Sequence, residues 1–300
     1  MTLDPSDIKG IIVPLLTPVD ADENIDDEKL AKQVNHVIDH GVDGILAFGS
    51  NSEFYMFDDD ELLHAADVIV KTAAGRVPVF FGIGQIRTKH VIRLAQAAVK
   101  LGVDAISVLQ PMFIHPTDEA LYHHYKAIAD SIPDTRVLIY NNPGLTGYTV
   151  KADTIVDLAH NVDNIVGIKD SSGDITFDSE LLRRTQDIAF QVLVGKDTVI
   201  FPALCLGAVG AVCSTANIFP DLVTSIYDLY EAGDVAGSRA AQFRLNPVRL
   251  SQNPASFPAA TKDMANLMGL NVGASVLPTE AANPKILADM KAAMIEAGLL

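Results

Sequence analysis

The chain of 300 residues carries 38 acidic against 22 basic side chains, for a formal net charge of −16 and an isoelectric point near 4.7. That balance excludes nucleic acid and anionic membrane as partners, because either needs a basic face. It leaves room for a small acidic substrate, which needs only a few local donors. A hydrophobic content of 49% with 20% charged residues describes a globular chain long enough for one large barrel or two medium domains. Residues 1–10 show no basic start followed by an apolar run, and no stretch approaches the length of a membrane span. The expectation is a cytoplasmic protein without a secretory leader. Cys205 and Cys213 both lie in apolar segments, where free buried thiols are expected rather than a disulfide.

In chain order, strand-like apolar runs fall at 11–16, 44–48, 77–83, 105–109, 137–140, 165–169, 191–194 and 209–214. Between them lie segments at 27–40, 59–74, 89–101, 119–131, 151–160, 178–185 and 198–206, with apolar residues three and four apart. That is the period of a helix covering a sheet. Alternating strands and helices imply a parallel sheet with right-handed crossovers, and eight repeats close most economically into a (β/α)8 TIM barrel. The turns Gly41-Val42-Asp43 and Gly102-Val103-Asp104 each place a glycine just past a helix and before a strand, the expected helix stop. An open doubly wound sheet is disfavoured, since Leu15-Leu16-Thr17-Pro18 carries no glycine-rich fingerprint after the first strand. After Pro220 the pattern is wholly helical, at 222–232, 235–250, 257–268 and 284–297. The reading is a barrel over 1–222 and a C-terminal helical region over 223–300 that packs on it without forming an independent domain.

The chemistry collects where such a barrel keeps its site, at the C-terminal ends of the strands. The run Ile165-Val166-Gly167-Ile168 ends on Lys169, and a small polar turn follows. Desolvation disfavours the charged form of an amine, and a neutral amine attacks a carbonyl to form a Schiff base. A lysine that merely snorkels out at a strand end fits the same stretch. Around it stand Thr17 after the first strand, Gly49-Ser50-Asn51-Ser52-Glu53 after the second, and Pro111-Met112-Phe113 after the fourth. Tyr140-Asn141-Asn142-Pro143 follows the fifth, Gly195-Lys196-Asp197 the seventh, and Ser214-Thr215 the eighth. Small residues and hydroxyls at 49–52 suit a carboxylate. Tyr140, one strand from Lys169, is placed to relay protons. An imine lysine, a carboxylate nest and a phenol are what breaking or making a bond beta to a 2-oxo acid carbonyl requires.

These residues bring the chain into likeness with a known group. In GSNSE (49–53), YNNP (140–143) with Thr146-Gly147 behind it, GIKDSSGD (167–174) and the region 195–217, the chain resembles the dihydrodipicolinate synthase / N-acetylneuraminate lyase family of class I aldolases. The resemblance implies a (β/α)8 barrel with C-terminal helices, assembled as a homo-oligomer, dimer or tetramer. It implies Lys169 as the Schiff-base residue for pyruvate or another 2-oxo acid, Tyr140 as proton carrier, and Ser50 and Asn51 as carboxylate binders. No metal and no organic cofactor is implied. Gly49, Phe113, Leu145, Gly195, Lys196, Val212 and Ser214 complete the expected substrate site.

Three departures from the family pattern matter. Ser50-Asn51-Ser52 replaces a threonine-threonine-glycine or serine-threonine-glycine, so the loop loses its glycine. Phe113 stands where many members carry a tyrosine that reaches into a neighbouring subunit's site, and a phenyl ring cannot pass a proton. Leu145 stands where the synthases place an arginine for their aldehyde substrate's carboxylate, and its loss removes a charge-assisted fork. Together they favour a lyase acting on pyruvate or on a 2-oxo acid such as a 2-keto-3-deoxy sugar acid. The alternatives are a synthase condensing pyruvate with aspartate semialdehyde and a non-catalytic 2-oxo acid sensor.

Bland roles stand beside the chemical ones. Tyr140 can be a core residue, Glu53 is expected to cap the following helix, and Lys196 to pair with an acid or face solvent. Asp170 and Asp174 either tune Lys169 or cap the next helix. His115, His123 and His124 with Glu119 resemble a metal cluster only on paper, which weakens a zinc-dependent aldolase reading.

Overall fold

The computed structural model describes residues 3–300. Among them, eight parallel strands close into a barrel in sequence order: β1 (Gly10–Pro14), β2 (Gly44–Ala47), β3 (Val79–Ile83), β4 (Ala105–Leu109), β5 (Arg136–Asn141), β6 (Ile165–Asp170), β7 (Gln191–Val194) and β8 (Gly210–Val212). Around it run α1 (Asp27–Asp39), α2 (Asp59–Ala73), α3 (Thr88–Lys100), α4 (Asp118–Asp130), the single turn α5 (Pro143–Thr146), α6 (Ala152–Asn161), α7 (Ile175–Arg184) and α8 (Ile200–Leu206). The chain ends in α9 (Pro220–Glu231), α10 (Val235–Leu250), α11 (Ala259–Leu267) and α12 (Pro284–Glu296).

Local sequence chemistry sets these ends. Asp26, Thr117, Asp174 and Asn283 each accept a backbone N–H in the first turn of the helix they precede, and Asp58 with Glu61 forms a capping box on α2. In the two glycine-valine-aspartate turns the aspartates do as much as the glycines. The Asp43 carboxylate accepts from the Ile11 N–H at 2.7 Å and that of Asp104 from Val79 at 2.8 Å, tying adjacent strands at the barrel floor.

Two apolar layers follow from strand alternation. Ile8, Ile12, Leu46, Phe80, Ala105, Leu138, Val166, Leu193 and Val212 fill the barrel interior. The opposite strand face packs against the helices, in a cluster that extends without a break to Met264, Val272, Met290 and Met294 of the C-terminal region.

One irregularity positions the site. Val137 pairs with Ile165 but Leu138 pairs with Gly167, leaving Val166 as an extra residue in β6. Val166 is interior, so regular alternation would send residue 169 outward. The bulge inverts the pattern: Ile168 joins the helix-facing cluster, and Lys169, opposite Tyr140, turns into the barrel mouth. Gly167 permits the close passage of β7, since a Cβ there would lie 2.6 Å from the Gln191 carbonyl oxygen.

Several expected boundaries shift. β1 ends two residues early at Pro14, which leads into an irregular loop, and α7 begins three residues before its expected start, because Asp174 caps it. α8 starts late because Asp197–Val199 forms a 3-10 turn first. Cys213 is buried as expected, but Cys205 is exposed: α8 buries Ile200, Ala203 and Leu204 and turns Cys205 outward.

Candidate active site

The cleft at the C-terminal end of the strands has a volume of about 240 Å³ and is lined by residues from six strand ends and from α10 and the segment before α11. At its base the Lys169 amine stands 4.0 Å from the centroid of the Tyr140 ring; both residues are buried. The Tyr140 hydroxyl lies 3.1 Å from Ser50 Oγ and accepts a 2.7 Å hydrogen bond from the Asn142 amide. Burial by itself raises the pKa of this phenol; the Lys169 charge, with the Ser50 and Asn142 contacts, outweighs it and holds the group below its ordinary value.

Each wall is fixed by residues behind it. Ser50–Ser52 forms a 3-10 turn, which Ser52 braces by donating to the Gly49 carbonyl at 2.6 Å. Gln110 accepts from the Asn142 N–H at 2.9 Å and donates to Asn141 Oδ1 at 3.0 Å, setting the turn after β5. Asp170, next to Lys169, is bonded by Asn141 and Ser172; burial nevertheless pushes its carboxyl above the usual range. Asp197 is buried and accepts from the backbone and hydroxyls of Ser214 and Thr215 at 2.6–3.3 Å. This holds the β8 turn and aims Ser214 into the cleft.

Of the residues expected from sequence, Lys169, Tyr140, Ser50, Asn51, Leu145, Gly195, Lys196, Val212 and Ser214 line the cleft together. Gly49 lies behind the lining, packed on Pro14 and Leu46. Phe113 stands apart, 93% exposed with φ 69°, and Thr17 is buried away from the cleft. Asn142 and Ser171, from the turns that follow β5 and β6, line the cleft as well, and sequence reasoning missed Arg249 and Phe257 of the C-terminal region.

Glu53 is not a helix cap. Its carboxylate lies 2.6 Å from the Lys262 amine, with both side chains essentially inaccessible to solvent, and accepts from the Val276 N–H at 2.9 Å. Thr261 donates to Asn51 Oδ1 at 3.3 Å, so α11 backs the 50–53 loop. Asp174 caps α7. The histidines disperse: His124 bonds Thr88 at 2.8 Å, and His115 packs on Tyr148. Among the described residues no group of side chains has the arrangement of a metal site, and no helix is long and apolar enough to cross a membrane.

Comparison with known proteins follows the same line. The sequence profile of the dihydrodipicolinate synthetase family matches residues 7–297. A 4-hydroxy-tetrahydrodipicolinate synthase of Pelobacter propionicus is 34% identical over 292 residues, covering 97% of this chain and 99% of the relative. An uncharacterized DapA-like lyase of Halobacterium salinarum is 31% identical over 298 residues, covering 99% and 96%. The crystal structure of the chloride-inhibited dihydrodipicolinate synthase of Acinetobacter baumannii, complexed with pyruvate, superposes with a TM-score of 0.93 at 31% identity, covering 98% of this chain and 100% of that one. Barrel, lysine-bearing strand and whole-length similarity agree: this chain belongs to the dihydrodipicolinate synthetase family and is a class I aldolase-type lyase.

Proposed function

We propose that the protein cleaves or forms a carbon–carbon bond of a 2-oxo acid, such as a 2-keto-3-deoxy sugar acid, through an imine on Lys169. The observation that carries this reading is the Lys169 amine held 4.0 Å over the Tyr140 ring at the base of the cleft. The amine attacks the 2-oxo carbon, and loss of water gives the iminium. In the cleavage direction a base takes the proton of the C4 hydroxyl, the C3–C4 electron pair moves toward the iminium, an aldehyde leaves, and the enamine is reprotonated at C3. Hydrolysis then frees pyruvate and the amine. Tyr140, its pKa held down, carries the protons. Ser50 and Asn51, with backbone N–H groups of their turn, hold the substrate carboxylate.

The relatives named as synthases favour a second reading, condensation of pyruvate with aspartate semialdehyde. Leu145, 48% exposed at the mouth, counts against it, because it offers no charge to the aldehyde's carboxylate. Phe113, fully outside the cleft, supports assembly as a homo-oligomer in which that ring is covered by another subunit. Arg249 and Phe257 at the cleft support treating 223–300 as part of one unit with the barrel over 1–222.

The test is borohydride trapping with pyruvate, mapped by peptide mass, in the wild type and Lys169→Ala, followed by turnover of a panel of 2-oxo sugar acids and of pyruvate with aspartate semialdehyde. A reduced adduct on Lys169, absent from the variant, with turnover of a sugar acid is the expected result. A folded protein with no adduct sinks the imine mechanism, and turnover of aspartate semialdehyde alone selects the second reading.

A further inference from the structure

The cleft wall carries three cationic residues, Lys169, Lys196 and Arg249, against one acid, Asp197, in a chain where acids outnumber bases 38 to 22. Asp197 enters no ion pair with them; its oxygens accept from Ser214 and Thr215, and its single charge is outnumbered by three cationic side chains on the lining. Among the described residues neither Lys196 nor Arg249 enters an ion pair; Arg249 donates one hydrogen bond, to Asn253 Oδ1 at 2.9 Å. Half of the 22 arginines and lysines pair with no acid among the described residues, but these two line the cleft beside Lys169, where a bound anion would meet them.

The two are built to stay together. Lys196 stands two residues past β7, after Gly195, and its stem packs over Gly173, whose φ of +77° and missing Cβ leave the space: a Cβ there would stand 3.3 Å from Lys196 Cγ. The next residue, Asp197, accepts at its carbonyl a 2.9 Å hydrogen bond from Gln242 of α10. Gln242 and Arg249 are seven residues apart and share a face of that helix, so the bond that docks α10 on the β7 turn brings Arg249 to the same wall. The groups suited to the 2-oxo carboxylate, Ser50 and Asn51, come from the β2 side of the mouth. Leu145 and Phe257, 48% and 42% exposed, add an apolar flank to the cleft.

We propose that Lys196 and Arg249 form a subsite for a second anionic group, so that the substrate is a 2-oxo acid bearing a carboxylate or phosphate at its far end. This rests on the imine reading, in which Lys169 takes the 2-oxo group and the 50–51 turn the first carboxylate, leaving these two cations for the distal charge. Arginine and lysine bind carboxylate and phosphate alike, and the matched probes below separate the two.

The experiment measures protection of Lys169 from borohydride trapping by pyruvate. Two matched pairs compete, all lacking the C4 hydroxyl that cleavage needs: 2-oxoadipate against 2-oxohexanoate, and 6-phosphooxy-2-oxohexanoate against 6-hydroxy-2-oxohexanoate. In the wild type the form with the extra charge protects at a concentration lower by about tenfold or more in at least one pair, and the advantage shrinks at high salt. The pair that shows it names the distal group as carboxylate or phosphate. Lys196→Met and Arg249→Met, both at partly exposed positions, each cut the advantage severalfold. Equal protection by both members of both pairs, or an advantage that survives both substitutions, overturns the subsite while leaving the imine reading standing. Absence of any pyruvate adduct in the wild type overturns the imine reading, and the subsite falls with it.

Discussion

At the scale of single residues, Tyr140 is held by more than packing. Its hydroxyl meets Ser50 and Asn142, its ring carries the Lys169 amine, and its pKa is depressed despite full burial. A core tyrosine with only a packing role needs none of this. Tyr140→Phe is therefore expected to lower kcat by about 10²–10⁴-fold, the worth of a positioned proton carrier, while the Lys169 adduct with pyruvate still forms. Trapping and steady-state rates on the same preparations check it, and wild-type turnover in the variant sinks the role. Tyr140 and Lys169 were legible in the sequence because both close apolar strands, where a barrel keeps its chemistry. Arg249 and Phe257 were not: they reach the cleft by the docking of α10 and the chain after it, a tertiary event that leaves no local pattern. Glu53 was misread for the same reason, its partner Lys262 lying in a distant helix.

At the scale of elements, the 50–53 loop holds no glycine and is steadied from outside. α11 supplies Thr261 to Asn51 and Lys262 to Glu53, and Glu53 itself adopts φ 58°, so the ion pair also holds a left-handed backbone in place. Burial pulls the Lys262 amine below its ordinary range, partly offset by Glu53. Removing one partner strands the other charge in the interior. Glu53→Gln or Lys262→Met is expected to cost about 3–5 kcal/mol, and the double replacement less than the sum of the two. Urea unfolding of the four proteins checks it, and strict additivity refutes the pairing as the source of the cost. The strand and helix order was legible because hydrophobic period carries it. The β6 bulge was not, since a slip of one residue changes which side chains face the barrel without altering the apolar run that signals the strand.

For the whole molecule, the excess of acid becomes a question of where the carboxyls lie. Most are on the surface, but Asp178, in the first turn of α7, is 1% exposed, and neither of its oxygens finds a hydrogen-bond partner among the described residues. Burial first, and then the charges of Asp170 and Asp174, push its pKa up to about 7. In the unfolded chain the same carboxyl titrates near the ordinary aspartate value of about 4. Between these values the fold keeps a proton that the unfolded chain has released, so the contribution to stability is complete below about pH 4 and is lost as the pH rises through about 7. Relative to Asp178→Asn, which cannot ionise there, the wild type is expected to lose about 2.5 kcal/mol between pH 5 and pH 8. Comparing the two proteins at each pH by urea unfolding cancels the titration of groups they share, provided their own shifts are the same in both. A difference that stays flat across that range means the carboxyl has found a partner or solvent in solution. A falling difference ties the barrel's stability at alkaline pH to one unpaired acid behind the strand that carries Lys169.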